Sequence, residues 1–329
     1  MGLRQVVTEP IRYGFAVGRV RVLEGRMLSG ATYERLLDAP SFAEQIRVLS
    51  DTPYGTFLEG ASTVEDVERA FDQALGELYR FLESANLPGP VIAFFRTPYD
   101  YANLKARLKA DLYGQSVDGL LVDLGAVPAE VFAGPIGSLP KRFRAIAERA
   151  GDAGAADEES VSLEVDRALH AESLAHAAAS RSRFLEGLAA LQVDLANVRT
   201  LLRARVRERK NADARAMLIE GGTLSADALM RLYRLPVPEL ASALASGPGP
   251  LRGVDPDELA DLARFDVIAD DVQVRYLKRA RRAAAGPEPV IGYVMARKAE
   301  VMMVRTLLIG MLSGVPEAVL RRRLRERYE

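Results

Sequence analysis

Cysteine and tryptophan are absent from this chain, and histidine occurs only twice. Without cysteine there is no disulfide, no thiol nucleophile and no cysteine-based zinc or iron–sulfur site. The two histidines, His170 and His176, lie in a stretch that reads as helix. Their spacing turns them about 120° apart, so they are not expected to share a metal ion. A surplus of charge is missing too: 44 basic residues face 45 acidic ones, for a formal net charge of −1. Nucleic-acid binders ordinarily carry a basic surplus, so no nucleic acid is expected as a partner. Long apolar runs are also lacking. The best of them, Val301 to Val315, is interrupted by Arg305 and flanked by Glu300, so no membrane-spanning helix is expected. The N-terminus does not read as a secretory leader. Gly14 and Gly18 form only a GxxxG pair, read as close helix packing; no dinucleotide or P-loop glycine pattern occurs. Acidic residues cluster at Asp255, Asp257, Glu258 and Asp261, and at Asp266, Asp270 and Asp271. They alternate with apolar residues at helical spacing, which reads as a solvated face rather than an acid–base pair. No catalytic residue, metal, cofactor or small-molecule substrate is expected.

What is present is helix, repeated. Ala, Leu, Arg and Glu dominate, all strong helix formers. No strand-like alternation stands out, so the fold class is all-α. Three stretches resemble one another: DYANLKARLKADL from Asp100, DLANVRTLLRARV from Asp194 and EVMMVRTLLIGML from Glu300. A helix recurring at roughly 90–100 residues suggests about three similar units. We expect boundaries that give units 1–115, 116–212 and 213–329. Tyr101, Leu104, Leu108 and Leu112 match Leu195, Val198, Leu202 and Val206, and then Val301, Val304, Leu308 and Leu312. Each set forms one apolar stripe of an α-helix. A second line (Ala102, Ala106, Ala110; Ala196, Thr200, Ala204; Met302, Thr306, Gly310) is mostly small and reads as a close helix contact. A weaker fourth copy, GFAVGRVRVLEGR, starts at Gly14, with Gly18 and Arg26 on its stripe. One cation holds the same register throughout: Arg19, Lys105, Arg199 and Arg305. It reads either as an internal ion pair in each unit or as a charged lining where units meet.

Between these helices the chain shows a common grammar of small helices, a long helix, then a motif helix. Residues 1–11 read as an extended leader ending at Pro10. Helices are expected from Tyr13 to Glu24, Thr32 to Asp38 and Ser41 to Ser50, the last with Ser41 and Glu44 as a capping box. Pro53 and Gly55 mark a break before a long helix from Thr63 to Asn86. After short pieces from Leu112 to Leu139 and a helix from Pro140 to Ala150, the acidic stretch Gly151 to Ser160 reads as a loop. One long helix from Leu163 to Leu191 is expected to lead into the second motif. Short helices start at Ser225 and Pro236, a longer one runs from Asp255-Pro256 to Ala284, and a last helix follows Pro316 to the C-terminus. Basic clusters at Arg203 to Lys210, Arg275 to Arg282 and Arg321 to Arg327 sit near helix ends. They fit helix-dipole compensation, or docking to an acidic partner or anionic headgroups.

In this order and spacing, YGFAVGRVRVLEGRML, LSDTPYG (Leu49 to Gly55), DYANLKARLKA, VDLANVRTLLRA, KAEVMMVRTLLIG and GVPEAVL carry a resemblance to one family. The chain resembles the C subunit of prokaryotic V-type (A/V-type) ATPases and ATP synthases, related to the eukaryotic d subunit. It departs at Val17 and at Met303, which replaces the asparagine seen at Asn103 and Asn197. The resemblance implies an all-α funnel with pseudo-threefold symmetry. It implies a non-catalytic central-stalk protein that couples axle subunits of the D/F type to the membrane proteolipid rotor ring. Such a protein is peripheral, on the cytoplasmic side of the membrane. Under that reading Asn103, Lys105, Asn197, Arg199 and Arg305 are the expected axle-facing residues. The rival reading is a helical-repeat adaptor scaffold with an unrelated partner.

Overall fold

The computed structural model describes residues 3–152 and 157–328. In chain order the α-helices are α1 (Leu3–Glu24), α2 (Gly30–Asp38), α3 (Phe42–Leu49), α4 (Gly55–Leu58), α5 (Val64–Ser84), α6 (Gly89–Tyr113), α7 (Ala129–Ala133), α8 (Lys141–Asp152), α9 (Glu158–Ser180), α10 (Arg183–Val206), α11 (Asn211–Ala216), α12 (Ala226–Tyr233), α13 (Val237–Ser246), α14 (Pro256–Ala260), α15 (Leu262–Leu277), α16 (Glu288–Leu312) and α17 (Glu317–Arg321). No strand occurs among the described residues, so the fold is all-α. No described helix is long and apolar enough to cross a membrane. Two compact units emerge. One joins 1–87 to 263–329; the other is continuous, 88–262.

In the continuous unit, α6 carries the first motif and α9 lies antiparallel against it. The rungs ascend α6 as they descend α9. Tyr101 donates its hydroxyl to Glu172 (2.7 Å), Lys105 pairs with Asp166, and Lys109 pairs with Glu158 (2.6 Å). Beneath those rungs the apolar stripe closes a core. Tyr101, Leu104 and Leu108 are buried with Phe132, Phe143, Ile146, Val161 and Val165. Tyr101 meets Phe143 edge-on at 5.3 Å between ring centroids, a preferred aromatic geometry. The second motif helix, α10, follows α9 after a break at Arg181 and Ser182. This corrects the expectation of one helix from Leu163 to Leu191. Arg181 takes a left-handed conformation (φ 57°), and the Ser182 hydroxyl caps the Leu185 amide. Neither glycine nor proline announces the break; a serine cap makes it. Of the loop expected at Gly151 to Ser160, 153–156 lie outside the described residues. Asp157 caps α9 in a reciprocal box with Ser160.

The discontinuous unit has the same arrangement. Motif helix α16 packs against α5 in antiparallel sense, with Tyr293 edge-on to Phe81 near one end and Arg305 paired with Glu68 near the other. Thr63 and Asp66 form a capping box at the start of α5, close to the expected start. At α3 only half of the expected box forms. The Ser41 hydroxyl accepts from the Glu44 amide, while the Glu44 carboxylate turns to Arg47.

Five further expectations are corrected. The leader expected at 1–11 is helical from Leu3 onward and runs through Pro10. A proline removes one backbone donor but does not force a stop when the helix before it tolerates the loss. The helix expected from Asp255 to Ala284 is interrupted at Asp261, whose extended conformation separates α14 from α15. The last helix ends at Arg321 rather than at the C-terminus, because the tail finds tertiary partners. Arg325 pairs with Asp270, Glu326 with Lys278, and the Tyr328 hydroxyl donates to Glu24. The weak copy at Gly14 does not share the motif's packing. Its stripe residues Phe15 and Val22 are exposed, 76% and 61%, while Tyr13, Ala16, Val17 and Val20 are buried. Gly14 and Gly18 meet no neighbouring atom within 4 Å of a built Cβ, so the GxxxG pair marks no close packing.

Candidate functional site

On a motif helix, residues three apart share a face. In α6 that face presents Asp100 and Asn103, both buried. Both reach the segment that arrives before α7. The Asn103 side chain grips Val122 twice: its amide donates to the Val122 carbonyl and its oxygen accepts from the Val122 N–H, each at 2.9 Å. Asp100 Oδ1 accepts from the Val127 N–H at 3.0 Å. Burial pushes the Asp100 carboxyl above the usual carboxylate range, opposed by that backbone donor and by Arg142. Gly125 is required here, because a Cβ at that position would lie 2.1 Å from Asp100 Oδ1.

The second motif repeats this contact. In α10, Asn197 grips Ile219 through both amide atoms at 2.8 Å. Asp194 accepts from the Leu224 N–H at 2.9 Å and from the Thr223 hydroxyl. A Cβ on Gly222 would lie 2.2 Å from Asp194 Oδ1. Val127 and Leu224 each directly precede the cap residue of the next helix, Pro128 and Ser225.

The third motif keeps the acid but changes its surroundings. Glu300 accepts from the Leu28 N–H at 2.7 Å and from the Tyr54 hydroxyl at 2.8 Å, and it holds Arg297. Leu28 again directly precedes a helix cap, Ser29. The clipped loop comes from the opposite end of the chain. Met303 replaces the asparagine and is buried among apolar groups near Leu28 and Tyr33. The Arg297 guanidinium lies 4.2 Å from the centroid of the Tyr54 ring. A buried carboxylate is costly unless its oxygens are hydrogen-bonded or paired; all three acids accept backbone N–H bonds, and Asp100 and Glu300 also face Arg142 and Arg297.

The five residues expected to face a partner divide into two kinds. Asn103 and Asn197 are buried and spend their amides on internal loops. Lys105 and Arg305 are half-exposed and pair with Asp166 and Glu68 inside their own units, as the internal ion-pair reading expected. Arg199 is half-buried at the same register of α10. Arg305 belongs to the discontinuous unit and the other four to the continuous one. The acids Asp100, Asp194 and Glu300 open all three motif copies, yet they were not among the expected site residues. The signal that could have found them is a charged residue at a fixed place on an apolar helix.

Other expectations also resolve. The apolar stripe is buried at its first three positions in every motif, but Leu112 and Val206 at its end are exposed. The small-residue line is buried only at its far end, at Ala110, Ala204 and Gly310, while Met302 is exposed. The basic clusters are paired in part: Arg207 and Arg209 with Glu159, Arg275 and Lys278 with Glu326, Arg321 with Glu34, Asp38 and Glu317, and Arg325 with Asp270. His176 contacts Glu172 at 3.3 Å, and no metal-binding group of side chains occurs among the described residues.

A family model described as ATP synthase (C/AC39) subunit matches residues 16–323, nearly the whole chain and all three clips. The chain belongs to that family. As a member it is one of the subunits of a rotary ATPase. The C subunit of the A-type ATP synthase of Thermococcus onnurineus is 26% identical over 262 residues, covering 73% of this chain and 69% of that one. The C subunit of the V-type sodium ATPase of Enterococcus hirae is 22% identical over 322 residues, covering 94% and 97%. The C subunit of the A-type ATP synthase of a Desulfurococcus species is 24% identical over 330 residues, covering 93% and 89%.

Proposed function

We propose that this chain is the non-catalytic coupler of the central stalk, joining D/F-type axle subunits to the membrane proteolipid ring from the cytoplasmic side. The observation that carries the reading is the threefold clip. Three motif helices each hold an incoming loop by an acid at the same position, and the third loop is supplied by the N-terminal segment. Completion of the last repeat by the first segment supports the reading of a body around a pseudo-threefold axis over that of an open solenoid. We draw the three units to begin at α6, α10 and α16, so that the boundaries expected near 115 and 212 move to the motif helices. Torque transmission needs a stiff body, and the buried clips and paired rungs supply stiffness. The axle-facing role falls to Lys105, Arg199 and Arg305, with Asn103 and Asn197 positioning the loops beside them.

The deciding experiment is a pull-down with the axle subunits and, separately, with detergent-solubilised rotor ring. Binding to both supports the coupler. Binding to neither, by a chain that is helical by circular dichroism, replaces it with the adaptor scaffold.

A further inference from the structure

The discontinuous unit contains a cleft of about 460 Å³, open to solvent, between α1, α5 and α16. Four guanidinium groups line it: Arg19, Arg26, Arg80 and Arg297. The lining has one carboxylate, Glu77, which lies 3.9 Å from Arg80. Arg297 is occupied by Glu300. Arg19 donates to the Ser84 hydroxyl at 3.2 Å and stands 4.9 Å from the centroid of the Phe81 ring. Neither Arg19 nor Arg26 is paired with a carboxylate among the described residues. Phe57, Phe81 and Tyr293 supply apolar wall.

We propose that this cleft binds a small phosphorylated anion. Arginine forks match phosphate oxygens in pairs, and unpaired arginines converging on one space call for a ligand with more than one negative charge. The cleft exceeds the size of a lone phosphate, and its aromatic wall accepts an organic body attached to it. Arg26 and Arg19 take the phosphate oxygens, Arg80 closes the rim, and Arg297, neutralised by Glu300, forms part of the floor. This inference does not rest on the coupler role, because it concerns a pocket inside one unit.

The test is titration calorimetry on the full chain at about 0.15 M salt, where loose surface attraction is screened. The probes are pyrophosphate, ADP, and phosphatidic acid in phosphatidylcholine vesicles. Saturable binding of a soluble probe, weakened about tenfold or more by Arg26→Gln and by Arg19→Gln, is the expected result. Arg26 is exposed and gives up no ion pair when replaced, so its variant is expected to keep its unfolding midpoint. Binding only to phosphatidic-acid vesicles, with the same arginine dependence, assigns the phosphate to a lipid headgroup and also supports the site. No saturable binding of any probe, or binding unchanged in both variants, overturns the proposal. So does a polyglutamate peptide that binds more tightly than pyrophosphate through the same arginines, since the site then serves an acidic protein segment.

Discussion

The clips of the two units solve one problem in two ways. In the continuous unit, Asp100 and Asp194 are short, each is backed by an asparagine, and each faces a glycine. In the discontinuous unit Glu300 is one methylene longer, has no asparagine beside it, and Arg26 stands where Gly125 and Gly222 stand in the others. A residue with a Cβ is accommodated there, whereas a Cβ on Gly125 or Gly222 would meet the Asp carboxylate. The lost asparagine is replaced by Tyr54 and Arg297, which occupy Glu300 Oε1. The difference follows the distance along the chain. The first two clips join residues 27 and 30 apart, while the third joins residues 272 apart. A contact across so long a loop carries a larger closure entropy, and the third clip has more charge-assisted bonds to offset it.

The largest effect expected from breaking this comparison is at Glu300. Glu300→Ala leaves buried Arg297 without its carboxylate and the Leu28 amide without an acceptor. A loss of about 3–5 kcal/mol in urea unfolding is expected. The equivalent Asp194→Ala leaves amide and hydroxyl donors unpaired but no buried cation, for about 1–3 kcal/mol. Equal losses at the two sites would break the distinction drawn between them. A smaller effect sharpens the glycine argument. Gly222→Ala places a methyl group against the Asp194 carboxylate and is expected to cost about 1–3 kcal/mol, while Arg26→Ala at the matching place in the other unit is expected within about 0.5 kcal/mol of the parent. Thermal melts of the pair check this; a neutral Gly222→Ala removes the steric reason for the glycine.

The smallest effect is a matter of pH. His170 is half-buried on α9 near Asp166 and Lys105, and desolvation holds its imidazole below the usual 6.5. The unfolded chain therefore takes up this proton first. The stability is present above about pH 6.5 and is lost as pH falls through the folded value, at no more than about 1.4 kcal/mol per pH unit. His170→Gln is expected to flatten the fall in urea midpoint between about pH 7 and pH 5. An unchanged slope assigns the acid sensitivity to other groups.

The all-α class, the three motif helices and the first three positions of each apolar stripe were legible because helical periodicity survives in any single copy. The Lys105 and Arg305 ion pairs were legible as one of two readings. The asparagines stood out, but their partners Val122 and Ile219 present only backbone, which no side-chain pattern encodes. The same reason hid the clips of Asp100 and Asp194. Glu300 was obscured differently: its partners Leu28 and Tyr54 lie in a distant part of the sequence, where nothing local points to them. The break at Arg181 was missed because a left-handed arginine carries no compositional mark.

The pairing of Glu300 with Leu28 also sets a clock. At about 5–20 residues per second on a ribosome, a gap of 272 residues takes roughly 15–50 s to synthesise. Through that interval α6 to α14 can close over their own loops, while α3 and α5 wait for the face of α16 on which they pack and Leu28 and Tyr54 wait for Glu300. The opening quarter of the chain is thus the last to be finished, and a newborn molecule carries an exposed apolar arm that invites chaperones or a neighbour's α16. Stalled translation or early termination before α16 strands that arm permanently, so truncated products of this chain are expected to aggregate through their beginnings rather than through their cut ends.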